Sequence, residues 1–249
     1  MTEINTVGVI GGGVMGSGIA QALAVGGCTV TVRDLNEQLI EKARSTITDG
    51  RYGLNRGVER EKTTREDADA ALSRLFFTTS LTDLKDMDLI VEAVPEDLDL
   101  KKKVFAELDG VAGAATIFAS NTSGLTIADI ASAVSEARRT KLIGMHWFSP
   151  APVMKLVEIV RAETTSEATV EALEGVCARI GKASIRVKDA PGKYGFVANR
   201  IYFAAVREAQ KVLEEGVANV EDINKAMVYG FNWPVGPLAM IEGATKGWQ

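Results

Sequence analysis

The chain has 249 residues, 46% apolar and 24% charged, with a formal net charge of −5 and 6 prolines. That composition suits an ordinary globular protein of one large or two modest domains. The acidic balance argues against a general nucleic-acid binder, which carries a basic excess, and no apolar run reaches the ~18 residues of a membrane span. One histidine and two distant cysteines, Cys28 and Cys177, cannot build a typical zinc site, so no metal is expected. Both cysteines lie in apolar surroundings and read as buried free thiols.

In chain order, TVGVI (6–10) predicts a strand, followed by a glycine turn and a helix over Val14–Val25. CTVTVRD (28–34) predicts a second strand, and a long helical region runs from Asn36 to about Leu75, broken near Asp49–Gly57. Further strands are expected at LFFTT (75–79), DLIVEAV (88–94), TIFASN (116–121), KLIGMHW (141–147), KLVEIV (155–160) and SIRVK (184–188). Helices fit between most of them, as at Asp97–Asp109 and Ser166–Gly181. Strands apolar on both faces and alternating with helices imply a parallel sheet covered on both sides.

After Lys188 the pattern changes. DAPGKYG is a Pro/Gly linker, and Phe196–Glu215 carries apolar residues at helical spacing. VEDINKAMVYG predicts a second helix ending at Gly230 as its C′ glycine, and GPLAMIEGATKGWQ starts a third. The expected architecture is α/β: a Rossmann-type, doubly wound, mostly parallel sheet over 1–188 with a helical insertion around 36–75. A smaller all-helical domain follows over 189–249. The start, MTEINTVGVIGGG, lacks the basic region of a secretory leader, so a cytoplasmic protein is expected.

The strongest local signal is TVGVIGGGVMGSGIAQALA. It holds G-x-G-x-x-G at Gly11, Gly13 and Gly16, with Val14 and Met15 inside the motif, between a predicted strand and a predicted helix. Gly11 permits a tight turn, Gly13 lets the backbone approach a pyrophosphate, and Gly16 lets the helix pack close to the strand. The helix N-terminus offers free N–H groups to phosphate. Asp34, closing the second predicted strand, can accept hydrogen bonds from both ribose hydroxyls and would repel a 2′-phosphate, which favours NAD over NADP. Flavin is the rival cofactor for the motif; the helical second domain favours a nicotinamide.

The stretch IGMHWFSPAPVMKLVEIV (143–160) holds the single histidine, His146, and Glu158, an acid in an apolar segment. Oxidation of an alcohol needs a group that ionises near neutrality, and histidine is that group. A carboxylate on its far ring nitrogen would fix the tautomer and stabilise the imidazolium. Each lies in a predicted strand, and two adjacent strand ends can bring them together.

The ordered motifs VIGGGVMGSGIA, VRDLN, VEAVPEDLDLKK, FASNTSGLTI, GMHWFSPAPVMKLVEIV, DAPGKYGFVANRI and WPVGPLAM resemble the 3-hydroxyacyl-CoA dehydrogenase family, including the bacterial 3-hydroxybutyryl-CoA dehydrogenases, over nearly the whole chain. The resemblance implies reversible, NAD-dependent oxidation of an (S)-3-hydroxyacyl-CoA thioester to the 3-oxoacyl-CoA, in fatty-acid metabolism. It implies His146 as catalytic base, Glu158 as its partner, and Ser123 and Asn199 as residues binding the reacting oxygens and the cofactor side. Glu96 and Lys101 match family residues at the nicotinamide end. The stretch Arg51–Arg65 carries five basic residues and two acids; the family places a protruding helical pair there, making Arg51, Arg56, Arg60 and Lys62 candidates for CoA contact. A homodimer is implied, with no membrane or nucleic-acid partner.

Several features depart from the family pattern. His-Phe-Phe-Asn-Pro is here His146-Trp147-Phe148-Ser149-Pro150; Ser149 loses an amide, and the larger Trp147 is expected to narrow the acyl channel. The linker PGKYGF is longer than the familiar PGF, and the family usually continues with further helix beyond GPLAMIEGATKGWQ. Two other readings compete. One is a dehydrogenase of a non-CoA β-hydroxy acid, resembling gulonate or carnitine dehydrogenases, which the Arg51–Arg65 cluster would discriminate. The other is a non-enzymatic NAD-binding protein, disfavoured by intact Ser123, His146, Glu158 and Asn199.

Overall fold

The computed structural model describes residues 3–192 and 194–240. The chain divides into two compact units, Met1–Phe196 and Val197–Gln249.

The first unit is built on a sheet of β1 (Thr6–Ile10), β2 (Thr29–Arg33), β3 (Leu75–Thr78), β4 (Leu89–Glu92), β5 (Ile117–Ser120), β6 (Leu142–Trp147), β7 (Leu156–Arg161) and β8 (Ala183–Lys188). Their order is β3-β2-β1-β4-β5-β6-β7-β8. β1 to β6 run parallel; β7 turns antiparallel to β6, and β8 runs parallel to β7. Every residue of β4, β5 and β6 is buried, as a parallel sheet covered on both faces requires.

Strand alternation divides the apolar residues between two cores. On one face Leu89 and Val91 meet α1 (Val14–Val25), α2 (Glu37–Asp49), α4 (Arg65–Ser73) and α8 (Glu167–Arg179) through Leu23, Ile47, Ala71 and Leu173. On the other, Ile90, Phe118 and Leu142 meet Phe105 and Leu108 of α5 (Leu98–Asp109) and Ile127 and Ile130 of α6 (Ile127–Ala131). The helical stretch between β2 and β3 is interrupted after Asp49 and resumes with α3 (Leu54–Glu59). Asp97 and Ser166, expected inside helices, instead cap α5 and α8, accepting from the backbone N–H three residues on. The short α6 and α7 (Glu136–Arg139) carry too few residues for a helical period to show in sequence.

The second unit contains α9 (Ala198–Glu214) and α10 (Val220–Phe231), then a helical turn from Pro237 to Met240. Gly230 is not the C′ residue. α10 continues through it, and Asn232 takes the left-handed position at φ 55; asparagine is the non-glycine residue that most readily adopts it. Residues 241–249 of the expected third helix lie outside the described residues. Among the described residues no helix is long and apolar enough to cross a membrane.

Candidate active site

The sheet reverses its winding between β1, which leads out to β2, and β4, which leads out to β5. Such a switch point opens a crevice at the carboxyl ends of the strands. Residues 10–15, 33–35 and 93–95 line a cleft of about 680 Å³ there. Gly11 has φ +91, and a Cβ on it would stand 2.9 Å from the Ala93 carbonyl oxygen. A Cβ on Gly16 would lie 1.7 Å from the Gly11 oxygen, so the start of α1 sits directly on the turn. A Cβ on Gly13 would meet nothing within 4 Å. The space over Gly13, at the first N–H groups of α1, fits the pyrophosphate of a dinucleotide. Asp34 accepts from the Gly12 N–H at 2.7 Å and from the Leu35 N–H at 2.7 Å, tying the end of β2 to the glycine turn. Val14 is exposed at the mouth of the cleft and Met15 is half-buried.

The register Ile10–Glu92–Ser120–Gly144 crosses the sheet at this same end, and His146 lies two residues further along β6. Because β7 returns antiparallel, His146 and Glu158 are direct cross-strand partners. Their Nδ1 and Oε2 atoms are 2.7 Å apart, and the residues are 3% and 0% exposed. An ionised Glu158 only accepts, so Nδ1 carries the proton and Nε2 presents a lone pair. The rings of Phe148 and Phe196 stand 4.6 and 5.6 Å from the imidazole, which limits water around it.

Ser123 follows β5 on a turn held by a carboxylate. Glu96 Oε1 accepts from the Ser123 N–H at 2.8 Å and from the Thr122 hydroxyl at 2.6 Å. Lys101 is 1% exposed; its Nζ donates to Glu92 Oε1 at 2.6 Å and to the Val94 carbonyl at 3.2 Å, and lies 3.4 Å from Glu96 Oε2. Glu96 and Lys101 thus meet each other under the 93–95 wall of the cleft. Asn199 is half-buried in the first turn of α9, in the second unit, two residues after Val197 at the N-cap position.

Arg51, Arg56, Arg60 and Lys62 line one cavity of about 310 Å³. Arg56 is paired to Glu59 at 2.7 Å, and Arg60 donates to the Arg51 carbonyl at 3.2 Å. Lys182, which sequence reading missed, lines the same cavity; it donates to the Ala151 and Met154 carbonyls and stands 5.7 Å over the Trp147 ring. Burial holds its ammonium below the usual lysine range.

The expectation that Trp147 narrows the acyl channel is overturned. Successive strand residues face opposite sides of a sheet, so Trp147 points away from His146. It is 2% exposed and packs with Met145, Ala151 and Val157 in the α1-side core. Sequence reading also missed Glu92 and Thr122, both fully buried. The signal for Glu92 was available: an acid inside an apolar strand, the same signal that singled out Glu158.

Comparison with known proteins bears on these observations. Residues 6–190 match the family model "3-hydroxyacyl-CoA dehydrogenase, NAD binding domain", and residues 195–248 match "3-hydroxyacyl-CoA dehydrogenase, C-terminal domain". The chain is 41% identical over 241 residues to a 3-hydroxybutyryl-CoA dehydrogenase of Mycobacterium tuberculosis, covering 96% of this chain and 82% of that one. It is 39% identical over 242 residues to the mitochondrial hydroxyacyl-coenzyme A dehydrogenase of Rattus norvegicus, covering 96% and 76%. The crystal structure of the (S)-3-hydroxybutyryl-CoA dehydrogenase of Ralstonia eutropha superposes with a TM-score of 0.89 at 43% identity, covering 96% and 81%.

Proposed function

This chain belongs to the 3-hydroxyacyl-CoA dehydrogenase family, and from that membership we propose that it oxidises (S)-3-hydroxyacyl-CoA thioesters reversibly to 3-oxoacyl-CoA with NAD, in fatty-acid metabolism. The observation that supports this reading best is the buried His146–Glu158 pair at 2.7 Å, at the carboxyl end of a dinucleotide-type sheet. NAD, when bound, supplies the acceptor for the hydride that leaves C3. His146 Nε2 takes the proton from the 3-hydroxyl, and Glu158 holds the Nδ1–H and stabilises the imidazolium as it forms. In the reverse direction the same nitrogen returns the proton to the oxyanion at C3.

Ser123 and Asn199 hold the reacting oxygens and the cofactor side of the site. The backbone at Gly11, Gly13, Val14, Met15 and Gly16 receives the pyrophosphate, Asp34 the adenosine ribose, and Glu96 and Lys101 the nicotinamide end. Arg51, Arg56, Arg60 and Lys62 take the phosphates of CoA; their gathering around one cavity supports this. Residues 1–188 serve as the dinucleotide-binding domain, continued by the expected linker as far as Phe196, and the second unit serves as the helical domain of a cytoplasmic homodimer.

The test follows NADH absorbance with 3-hydroxyacyl-CoAs of short to long chain, with NAD and NADP. His146→Ala lowers kcat by about 10²- to 10⁴-fold, the usual worth of a general base, and leaves NADH affinity intact. An inert wild type on every chain length refutes the reading. Neutralising Arg56 and Lys62 raises KM for the CoA ester but not for a pantetheine thioester lacking the nucleotide; equal KM values refute the CoA assignment.

A further inference from the structure

We propose that Glu92 is a positioning residue for Ser123, acting through Ser120, Lys101 and Glu96, and that Thr122 completes the same chain. The proposal rests on the reading of Ser123 as a substrate-binding residue. Glu92 ends β4 and is 0% exposed. Both its oxygens are engaged: Oε1 accepts from Lys101 Nζ at 2.6 Å and from the Val94 N–H at 2.8 Å, and Oε2 accepts from the Ser120 hydroxyl at 2.6 Å. Stability is a weak reason to bury such a pair, because well-packed apolar replacements are often as stable. What the pair does is join three elements, β4, β5 and α5, at the carboxyl edge of the sheet.

Two routes run from Glu92 and meet at the Ser123 turn. In the first, the Ser120 hydroxyl that donates to Glu92 accepts from the Thr122 N–H at 3.3 Å. In the second, Lys101 Nζ bridges Glu92 and Glu96, and Glu96 Oε1 holds both the Thr122 hydroxyl and the Ser123 N–H. The Thr122 oxygen then accepts from the Gly124 and Leu125 N–H groups at 3.2 and 2.8 Å, closing the turn. The backbone of Ser123 is therefore set by a charged lattice whose base, Glu92 with Lys101, is fully buried and whose outer carboxylate, Glu96, is exposed, while Ser123 itself is half-buried just past the carboxyl end of β5. At the buried base, where Glu92 meets Lys101 and Ser120, charge-assisted bonds in a low-dielectric setting are short and stiff, and they anchor the Glu96 end that holds the Ser123 backbone.

Thr122→Val, nearly isosteric, removes the hydroxyl; Thr122→Ser restores it. Thr122→Val lowers kcat about 10-fold or more, the order of loss that a misplacement near 1 Å approaches, with NADH affinity within about 2-fold of wild type, and Thr122→Ser recovers most of the loss. Glu92→Gln placed in a Ser123→Ala background costs little beyond Ser123→Ala alone, because groups acting as a unit are non-additive. Additive losses, wild-type kcat in Thr122→Val, or no recovery in Thr122→Ser would each overturn the proposal. Should Glu92→Gln fail to fold, the Thr122 pair decides it. A wild type inert toward every 3-hydroxyacyl-CoA overturns the functional reading and the proposal with it; an active wild type with additive losses overturns the proposal alone.

Discussion

Two alanine substitutions in the same glycine motif have opposite consequences. A Cβ on Gly16 lands 1.7 Å from the Gly11 oxygen, with the Gly11 carbonyl carbon at 2.9 Å. Both are backbone atoms, so α1 must lift from the turn. Overpacking of this kind costs roughly 1–3 kcal/mol or more, while exchanging glycine for alanine in a helix returns at most ~1 kcal/mol. With a backbone oxygen at 1.7 Å the clash belongs at the top of that range, about 3 kcal/mol, so the steric term wins by about 2 kcal/mol. At roughly 2–4 °C per kcal/mol for a chain of this size, Tm falls by roughly 4–8 °C. Gly13 differs: its φ of −66 suits any residue, and its added Cβ meets nothing within 4 Å. Gly13→Ala therefore keeps Tm within ~3 °C, the cost of a poorer N-cap being under ~1 kcal/mol. The same Cβ intrudes where the pyrophosphate approaches, so the Kd for NADH rises at least ~10-fold, or 1.4 kcal/mol. Differential scanning calorimetry and NADH fluorescence titration measure the two quantities. Wild-type NADH affinity in Gly13→Ala would refute the cradle, and wild-type Tm in Gly16→Ala would refute the close-packing argument.

Glu158→Gln keeps the shape of the side chain but loses its charge, so kcat falls by about 10²-fold or more while NADH affinity holds; steady-state rates near wild type would mean that the imidazole needs no anionic partner. Trp147→Phe leaves kcat/KM within about 2-fold, because the indole faces the core side, and changes stability by under ~1.5 kcal/mol; lost packing is offset by removal of a buried indole N–H without a partner. A large change in acyl-chain preference would show that Trp147 reaches the substrate after all. Burial pushes the Cys177 thiol from 9.0 up to about 12, so in the folded protein it stays neutral and unreactive at pH 8. Its unfolded form ionises first, so the unfolded state binds fewer protons between about pH 9 and 12 and stability falls as pH rises through that window. Thiol labelling of native protein at pH 8 should follow unfolding; fast labelling of Cys177 without unfolding would contradict its burial.

Much of the first unit was legible because its signals are local. Glycines at 11, 13 and 16 between a β-branched run and a helical pattern need no tertiary knowledge to interpret, and the strands from β1 to β6 are apolar enough to bound themselves. The rest depended on partners distant in sequence. Glu92 carries its own sequence signal, but its partner does not: Lys101 is one of three consecutive lysines, and only the fold shows it to be the buried one, 2.6 Å from Glu92. The surroundings of Trp147 were hidden for a different reason. KLIGMHW already reads as a strand, so alternation sets Trp147 on the face opposite to His146; what the sequence does not show is that the face turned away is the apolar α1-side core that Trp147 fills. Gly230 misled because glycine is the usual left-handed terminator, whereas Asn232, two residues on, performs that role here.

The reversal of β7 explains how one histidine suffices. In a parallel neighbour, residues twelve apart could not face each other, because a crossover of a dozen or more residues must intervene. An antiparallel return needs only the eight residues from Phe148 to Lys155, and it pairs His146 with Glu158, Met145 with Ile159 and Trp147 with Val157. The length of that connection therefore encodes the chemistry. Inserting or deleting one residue in it would bring Val157 or Ile159 opposite His146, or force a bulge, since a slip of one residue exchanges the two faces of a strand. The core resists such a slip: Val157 and Ile159 are fully buried on the α1 side, and exchanging faces would drive the Glu158 carboxylate into that apolar cluster. The packing that stabilises β7 thus also enforces the register on which the catalytic pair depends.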